Sequence, residues 1–260
     1  MLNLKKFIPS KIRTTLNQLL NRNIKLIGNF KSWKEASLNS KGYSDIQIFK
    51  KTKSSFEKVL NGRASYERDS VAFYKDSPNK DLLKVVSGII KKKNKINICD
   101  FGGSLASSYF QNIKFLNKSQ ITWNIFEQKM YVNYAKKNIK ISNLNFFSDL
   151  DKVLKKNIDL IIFSSVLQYL EYPNKILNKI SKKKIKNILI LRTPFTNKSE
   201  LLKIQIIPKY IYDSSYPVRI FNYKSFILIM KKNGYKVKKK FFTKEKLGNY
   251  FYKGLYLIKN

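Results

Sequence analysis

The chain has 260 residues, 43% of them hydrophobic, with 18 Phe and 16 Tyr, which suits one α/β core with extensions and argues against disorder. Its 53 Lys and Arg against 16 Asp and Glu give a formal charge of +37, a field that attracts phosphates, anionic lipid or nucleic acid. With no histidine and one cysteine, histidine-dependent acid–base chemistry, a zinc cluster and an internal disulfide are excluded, and no metal site is expected.

Arginine occurs only at positions 13, 22, 63, 68, 192 and 219. Since Arg is the usual choice for bidentate phosphate and guanine contacts, the charge reads mainly as compositional bias. Lysine runs at 182–186 and 236–240 are then solvated faces. At the N-terminus, Leu4, Ile8, Ile12, Leu16 and Leu20 recur every fourth residue among Lys5, Lys6, Lys11 and Arg13. Such a helix either packs on the domain or makes peripheral contact with an anionic membrane through residues 4–20. No apolar run approaches the ~18 residues of a membrane span. The expected location is cytoplasmic, with the inner membrane face as the peripheral alternative.

Residues 1–75 read as helical and loop-rich. A helix over 80–93 leads to an apolar strand at 96–101, followed by a helix over 104–116. A second strand spans 121–127, a helix 131–140 and a third strand 143–147. A short helix from Asp149 to Leu154 precedes a fourth, nearly all-apolar strand at 158–163, as expected for the middle of a parallel sheet. A fifth strand covers 185–191. Asn222 caps a helix that ends before Gly234. Apolar-rich segments at 235–242 and 252–258, with no helix between them, form a terminal antiparallel pair. Alternating strands and helices at this spacing give a doubly wound α/β sheet of seven strands.

The first strand ends on Asp100 and turns through Gly102 and Gly103 into Ser104, placed to cap the next helix. Glycine admits positive φ and close approach of a ligand to backbone, and a helix start presents free N–H groups. Only one position of a G-x-G-x-G pattern is kept, so the turn by itself is equally a structural one. Glu127 ends the second strand 25 residues after Gly102, where a carboxylate is placed to accept both hydroxyls of an adenosine ribose. Asp149 faces an adenine amino group or simply caps its helix. Ser164 and Ser165 leave the fourth strand at the same edge of the sheet. Cys99, within the first strand, is expected to be buried and inert.

Five alternating strands closed by a hairpin match the layout of the S-adenosylmethionine (SAM) methyltransferase core. The chain resembles class I SAM-dependent methyltransferases over residues 80–260. It resembles more closely an uncharacterised bacterial family of such enzymes linked to surface-polysaccharide and lipopolysaccharide clusters. The residues that carry this are Gly-Asn-Phe-Lys-Ser-Trp at 28–33, Tyr-Glu-Arg-Asp-Ser at 66–70 and Asp-Phe-Gly-Gly-Ser at 100–104 with Ser-Tyr-Phe-Gln-Asn at 108–112. To these add Ser-Ser-Val-Leu-Gln-Tyr-Leu at 164–170, Arg-Thr-Pro-Phe at 192–195 and Ser-Tyr-Pro at 215–217. Leu191 and Arg219 stand where relatives more often carry Asp and an aromatic residue.

The resemblance implies a Rossmann-like sheet over 79–260. The Glu-Arg-Asp cluster at 67–69 is too charged to bury without partners, so the helical N-terminal extension (1–78) is expected to cover the active site, and truncation of residues 1–75 to leave the sheet folded. The resemblance also implies SAM as cofactor, held by Asp100, Gly102, Gly103, Ser104, Glu127, Asp149, Ser164 and Ser165. The resemblance does not itself supply the acceptor; the leading expectation is a glycan or small molecule of surface-polysaccharide biosynthesis, met by Arg68, Gln168, Tyr169, Arg192 and Tyr216. Transfer to oxygen would use Glu67 or Asp69 as base; the competing reading of residues 66–70 is a structural clasp between Arg68 and a carboxylate. A nucleic-acid methyltransferase and a non-catalytic SAM-binding or membrane-surface module are the alternatives. No specific nucleic acid is expected as a partner, because base amino-methylation typically uses a Pro-Pro loop and the chain has no Pro-Pro.

Overall fold

A computed structural model of the chain describes residues 24–42, 46–209 and 211–260; the proposed helix over 4–20 lies outside them. The extension comprises β1 (Lys25–Ile27), α1 (Trp33–Leu38), α2 (Ile46–Leu60) and the hairpin β2 (Tyr66–Arg68) and β3 (Val71–Phe73). The core then runs α3 (Lys80–Lys93), β4 (Ile96–Phe101), α4 (Ser107–Asn112), β5 (Ile121–Phe126), α5 (Lys129–Asn138), β6 (Leu144–Phe147) and α6 (Leu150–Leu154). It continues through β7 (Leu160–Ser164), α7 (Pro173–Lys182), β8 (Asn187–Thr196), β9 (Leu201–Ile206), β10 (Ser215–Asn222), α8 (Tyr223–Lys232), β11 (Tyr235–Leu247) and β12 (Tyr250–Lys259).

All seven expected strands are present. Strands β6, β5, β4, β7 and β8 lie side by side and parallel. Antiparallel β12 follows β8, and β11 closes that edge. The central strands are apolar on both faces because helices cover both: Leu160, Ile161, Ile162 and Phe163 of β7 are fully buried. Alternate residues of β4 feed two cores. Ile96 and Ile98 pack with α2, α3 and α5, while Cys99 and Phe101 pack with α6, α7 and α8. Helix α3 shows why the sequence folds locally as read. Asn79 accepts from the N–H groups of Asp81 and Leu82, Leu82, Val85, Val86 and Ile89 form the buried stripe, and Asn94 in left-handed conformation ends it.

Three features differ from expectation. The helix after β4 begins at Ser107, not Ser104. Ser104 and Ala106 both take positive φ, 56° and 66°, so the chain turns twice before α4 starts, and no side chain caps it. The sheet also has ten strands. The last two residues of β8 pair in parallel with Phe221 and Asn222 of β10, which carries β9 and then β1 in antiparallel order. Pro217 is tolerated in β10 because that stretch has a neighbour on one side only. Finally, the extension is not solely helical, since it contributes β1 and the β2–β3 hairpin, and it shares the core of the sheet. Phe56 and Val59 of α2 belong to the same core as Val85, Ile98 and Trp123.

Candidate functional site

The order of strand addition reverses between parallel β4 and β7: from β4 the sheet proceeds to β5 and β6, from β7 to β8. Ligands in open α/β sheets bind outside the carboxyl ends of strands at such a point. The chain leaves β4 there through residues 102–106. Gly102 has φ +70°, and a Cβ on it would lie 2.5 Å from Val166 Cγ2. A Cβ on Gly103 would lie 2.9 Å from the Asp100 carboxyl carbon and 3.0 Å from Ile125. The protein's own side chains therefore fill the space that side chains at 102 and 103 would take.

Two carboxylates face this turn. Glu127, after β5, accepts from the backbone N–H of Ser104 (3.0 Å) and of Gln128 (2.8 Å). Burial pushes its carboxyl up, against the pull of those two donors. Asp100 is 1% exposed. Its Oδ2 accepts from the Trp123 indole at 3.3 Å, and its Oδ1 has no partner. Burial pushes Asp100 up to about 7, opposed by Trp123 and Ser108. Asp149 is exposed and caps α6 through the Asp151 N–H at 2.9 Å. Cys99 is buried, and burial together with Asp100 pushes its thiol up.

The β2–β3 hairpin arrives at the same turn from the extension. Its two-residue link, Asp69 and Ser70, has φ 52° and 63°, the pattern of a type I′ hairpin without its usual glycine or asparagine. Glu67, 1% exposed, accepts from the Ser70 N–H at 2.7 Å and from the Ser107 hydroxyl at 2.6 Å. It is thus attached to the first residue of α4, just after the glycine turn. Burial raises its carboxyl to about 7 despite these donors. Asp69 behaves oppositely. Burial pushes it up, but Arg192 and Arg68 outweigh that and hold it below the usual range.

Arg192 joins three elements: its Nη2 is 2.8 Å from Asp69 and its Nε 2.9 Å from Glu245 of β11. It also lies over the Tyr252 ring of β12, 5.4 Å from the centroid. Arg68 reaches the other oxygen of Glu245 at 3.5 Å. A clasp through Arg68 is therefore present, but its ion pair is with Glu245 rather than with Glu67 or Asp69. Beneath Arg192, Gln168 is fully buried. Its amide nitrogen lies 3.1 Å from Ser165 Oγ and 3.3 Å from the Arg192 carbonyl, and its Oε1 has no partner. Tyr169 donates to Gln205 (3.0 Å), Gln205 reaches the Tyr216 hydroxyl (3.4 Å), and Tyr216 lies 3.2 Å from the Tyr212 hydroxyl. Burial, aided by Asp69, raises Tyr169 to about 12, so it stays a phenol.

Backbone strain concentrates here as well. Among the described residues, eight besides glycine have positive φ; Asn94 and Lys184 follow helices. The other six, Asp69, Ser70, Ser104, Ala106, Ser165 and Arg192, belong to the hairpin and the strand-end segments just described. Such conformations cost of order 1–3 kcal/mol each and cluster at functional sites.

Hydrogen bonds therefore link Glu127 with Ser104 and Glu67 with Ser107 at the start of α4, and link Ser165, Gln168, Arg192 and Asp69 in a second group. Ser164 ends β7 beside them; Tyr216 lies with Tyr169. Sequence reasoning missed Ser107, Gln205, Tyr212, Tyr252 and Glu245. Only Glu245 carried a signal, as the one acid in the lysine-rich 236–246 stretch.

No protein-family model and no curated sequence matches the chain. Solved structures do. The 1,6-didemethyltoxoflavin-N1-methyltransferase of Burkholderia thailandensis, with bound 1,6-didemethyltoxoflavin and S-adenosylhomocysteine, aligns over 91% of this chain and 95% of its own, at 7% identity and TM-score 0.51. The N-terminal domain of EvdMO1 with S-adenosylhomocysteine bound aligns over 81% and 96%, at 10% identity and TM-score 0.50. At such identities the likeness is one of fold: the chain has the Rossmann-like architecture of these methyltransferases.

Proposed function

We propose that the protein is a SAM-dependent methyltransferase acting on a hydroxyl of a glycan or small-molecule acceptor. The observation that carries this reading is the pair of carboxylates, Asp100 and Glu127, on one glycine turn at the sheet's switch point. SAM offers an ammonium and two ribose hydroxyls as donors. Asp100 Oδ1, buried without a donor of its own, fits the ammonium, and the Glu127 carboxylate fits the hydroxyls. Once bound, SAM supplies a methyl group on a sulfonium already activated for displacement.

The chain's own residues then orient and shield. Asp69 and Arg192 hold the hairpin over the strand ends, which excludes water from the reacting centre. Glu67, raised toward neutrality, serves as acceptor of the hydroxyl proton, whereas Asp69 is occupied by Arg192. Gln168 and the Tyr169–Gln205–Tyr216 chain offer hydroxyl-matching contacts. The linkage of the resembling family to surface-polysaccharide clusters favours a glycan among the acceptors, and the single cysteine fits a reducing, cytoplasmic site of action.

Glu127→Ala tests the reading. Losing a hydrogen bond to a charged group costs about 1.5–3 kcal/mol, so S-adenosylhomocysteine should bind roughly ten- to a hundredfold more weakly by titration calorimetry. Equal affinity of variant and parent would remove Glu127 from the site, and no binding by the parent would remove the cofactor.

A further inference from the structure

Phe242 of β11 is 75% exposed and Phe251 of β12 is 49% exposed. Strand register sets Phe242 opposite Lys253 and Phe251 opposite Lys246. Side chains alternate along a strand, so 251 and 253 share one face of β12. The lysines lean on aromatic rings of that face. Lys253 Nζ is 4.5 Å and Lys240 Nζ 5.7 Å from the centroid of Tyr223, and Lys246 Nζ is 4.2 Å from that of Phe251. A shallow cavity lies among Tyr223, Lys240, Phe242 and Lys253. None of the three lysines has a carboxylate partner among the described residues. The one acid of the two strands, Glu245, is held by Arg192 and Arg68.

We propose that this face of the β11–β12 hairpin docks the protein on an anionic lipid surface. Phenyl rings carry no hydrogen-bonding group and gain by entering the boundary between headgroups and acyl chains. Unpaired ammonium groups around them gain by meeting lipid phosphates. Strand β11 is a free edge of the sheet, paired with β12 alone. Single-stranded nucleic acid is instead bound along a basic groove lined with stacking platforms. Tyr252, between Phe251 and Lys253, points to the other face of β12 and lies under Arg192, so the docking face and the candidate site share the strand but not the face. The docking stands on this surface and does not depend on methyl transfer.

The test is co-sedimentation of the full chain with vesicles of phosphatidylcholine, alone or mixed with phosphatidylglycerol, at physiological ionic strength. Three variants are compared after matching their circular dichroism and melting temperature: Phe242→Ser with Phe251→Ser, Lys240→Gln with Lys246→Gln and Lys253→Gln, and a control of Lys182→Gln with Lys183→Gln and Lys186→Gln at the opposite end of β8. Wild type and control should bind the anionic vesicles alike. The lysine variant should lose about fivefold per lysine, and the phenylalanine variant roughly tenfold or more. With Phe242→Trp, emission should move to shorter wavelength on anionic vesicles only. The proposal fails if wild type does not bind, or if both patch variants bind as the control does, which would leave the charge at large or residues 4–20 responsible. It also fails if the patch variants lose binding to a single-stranded oligonucleotide while vesicle binding persists.

Discussion

Glu67 and Asp69 lie two residues apart on one hairpin and are driven in opposite directions, the first by burial and the second by two guanidinium groups. For Glu67 the ordinary value is 4.5 and the folded value about 7. Between these the folded chain keeps a proton that the unfolded chain has released, so stability falls as pH rises through the window. Asp100, moved from 3.8 to about 7, adds a loss of the same sign. Glu127, also raised by burial, acts in the same sense, and Glu67→Gln removes one of these contributions. Urea midpoints measured from pH 5 to pH 8 should therefore decline less steeply in the variant than in the parent, and parallel declines would place the titration elsewhere. If Glu67 is the base, kcat/KM of the parent should rise with pH toward a plateau above about 7. The variant should lose that rise together with roughly 10²- to 10⁴-fold in rate. The placement of Asp100, Gly102 and Glu127 at the strand ends was legible in the sequence because strand ends and glycine pairs are local signals. The use of Arg192 was not, since its partners, Asp69 and Glu245, lie 123 and 53 residues away.

At the scale of elements, the apolar runs of β4, β5, β7 and β8 announce themselves through composition and through the Asn and Gly residues beside them. Strands β1, β9 and β10 do not. Their apolar residues are interrupted by Lys25, Lys203, Gln205, Pro217 and Arg219, and they exist as strands because they pair with one another. The β2–β3 hairpin has three residues a side and no glycine in its turn, so nothing local marks it. It is held instead by the stacking of Tyr66 on Phe73, 4.7 Å between centroids, by Glu67 on Ser107, and by Asp69 on Arg192. The last contact is the one that ties it to β8. Arg192→Met keeps much of the bulk and removes the charge. Arg192 is 13% exposed while its partners are 47% and 40% exposed, so solvent screening limits the loss to about 1–2 kcal/mol. Amide hydrogen exchange in peptides covering 66–73 should then quicken roughly tenfold, with β4 and β7 unchanged. Unaltered protection at 66–73 would show that the Tyr66 and Glu67 contacts suffice.

Across the whole molecule, 16 acids cannot neutralise 53 bases. Most described ion pairs leave at least one partner substantially exposed, as with Lys41–Asp213 at 50% and 56% and Lys114–Asp76 at 53% and 46%. Exposed pairs of this kind contribute little, whereas the excess positive charge repels itself throughout the compact state. The lysines of β11 illustrate the balance: at a free sheet edge they discourage pairing with a second chain, and they add to that repulsion. The screening length falls from about 30 Å at 0.01 M salt to about 10 Å at 0.1 M, so salt should relieve repulsion between distant lysines before it weakens the close pairs. Each kcal/mol relieved shifts Tm by about 2–4 °C in a chain of this size. Calorimetry at pH 7 should accordingly show Tm rising by several degrees between low and physiological sodium chloride, and equally in sodium acetate of the same ionic strength. A flat or falling Tm would mean that the local pairs, the Arg192 network foremost, outweigh the net charge. A rise confined to one anion would point to bound ions rather than screening.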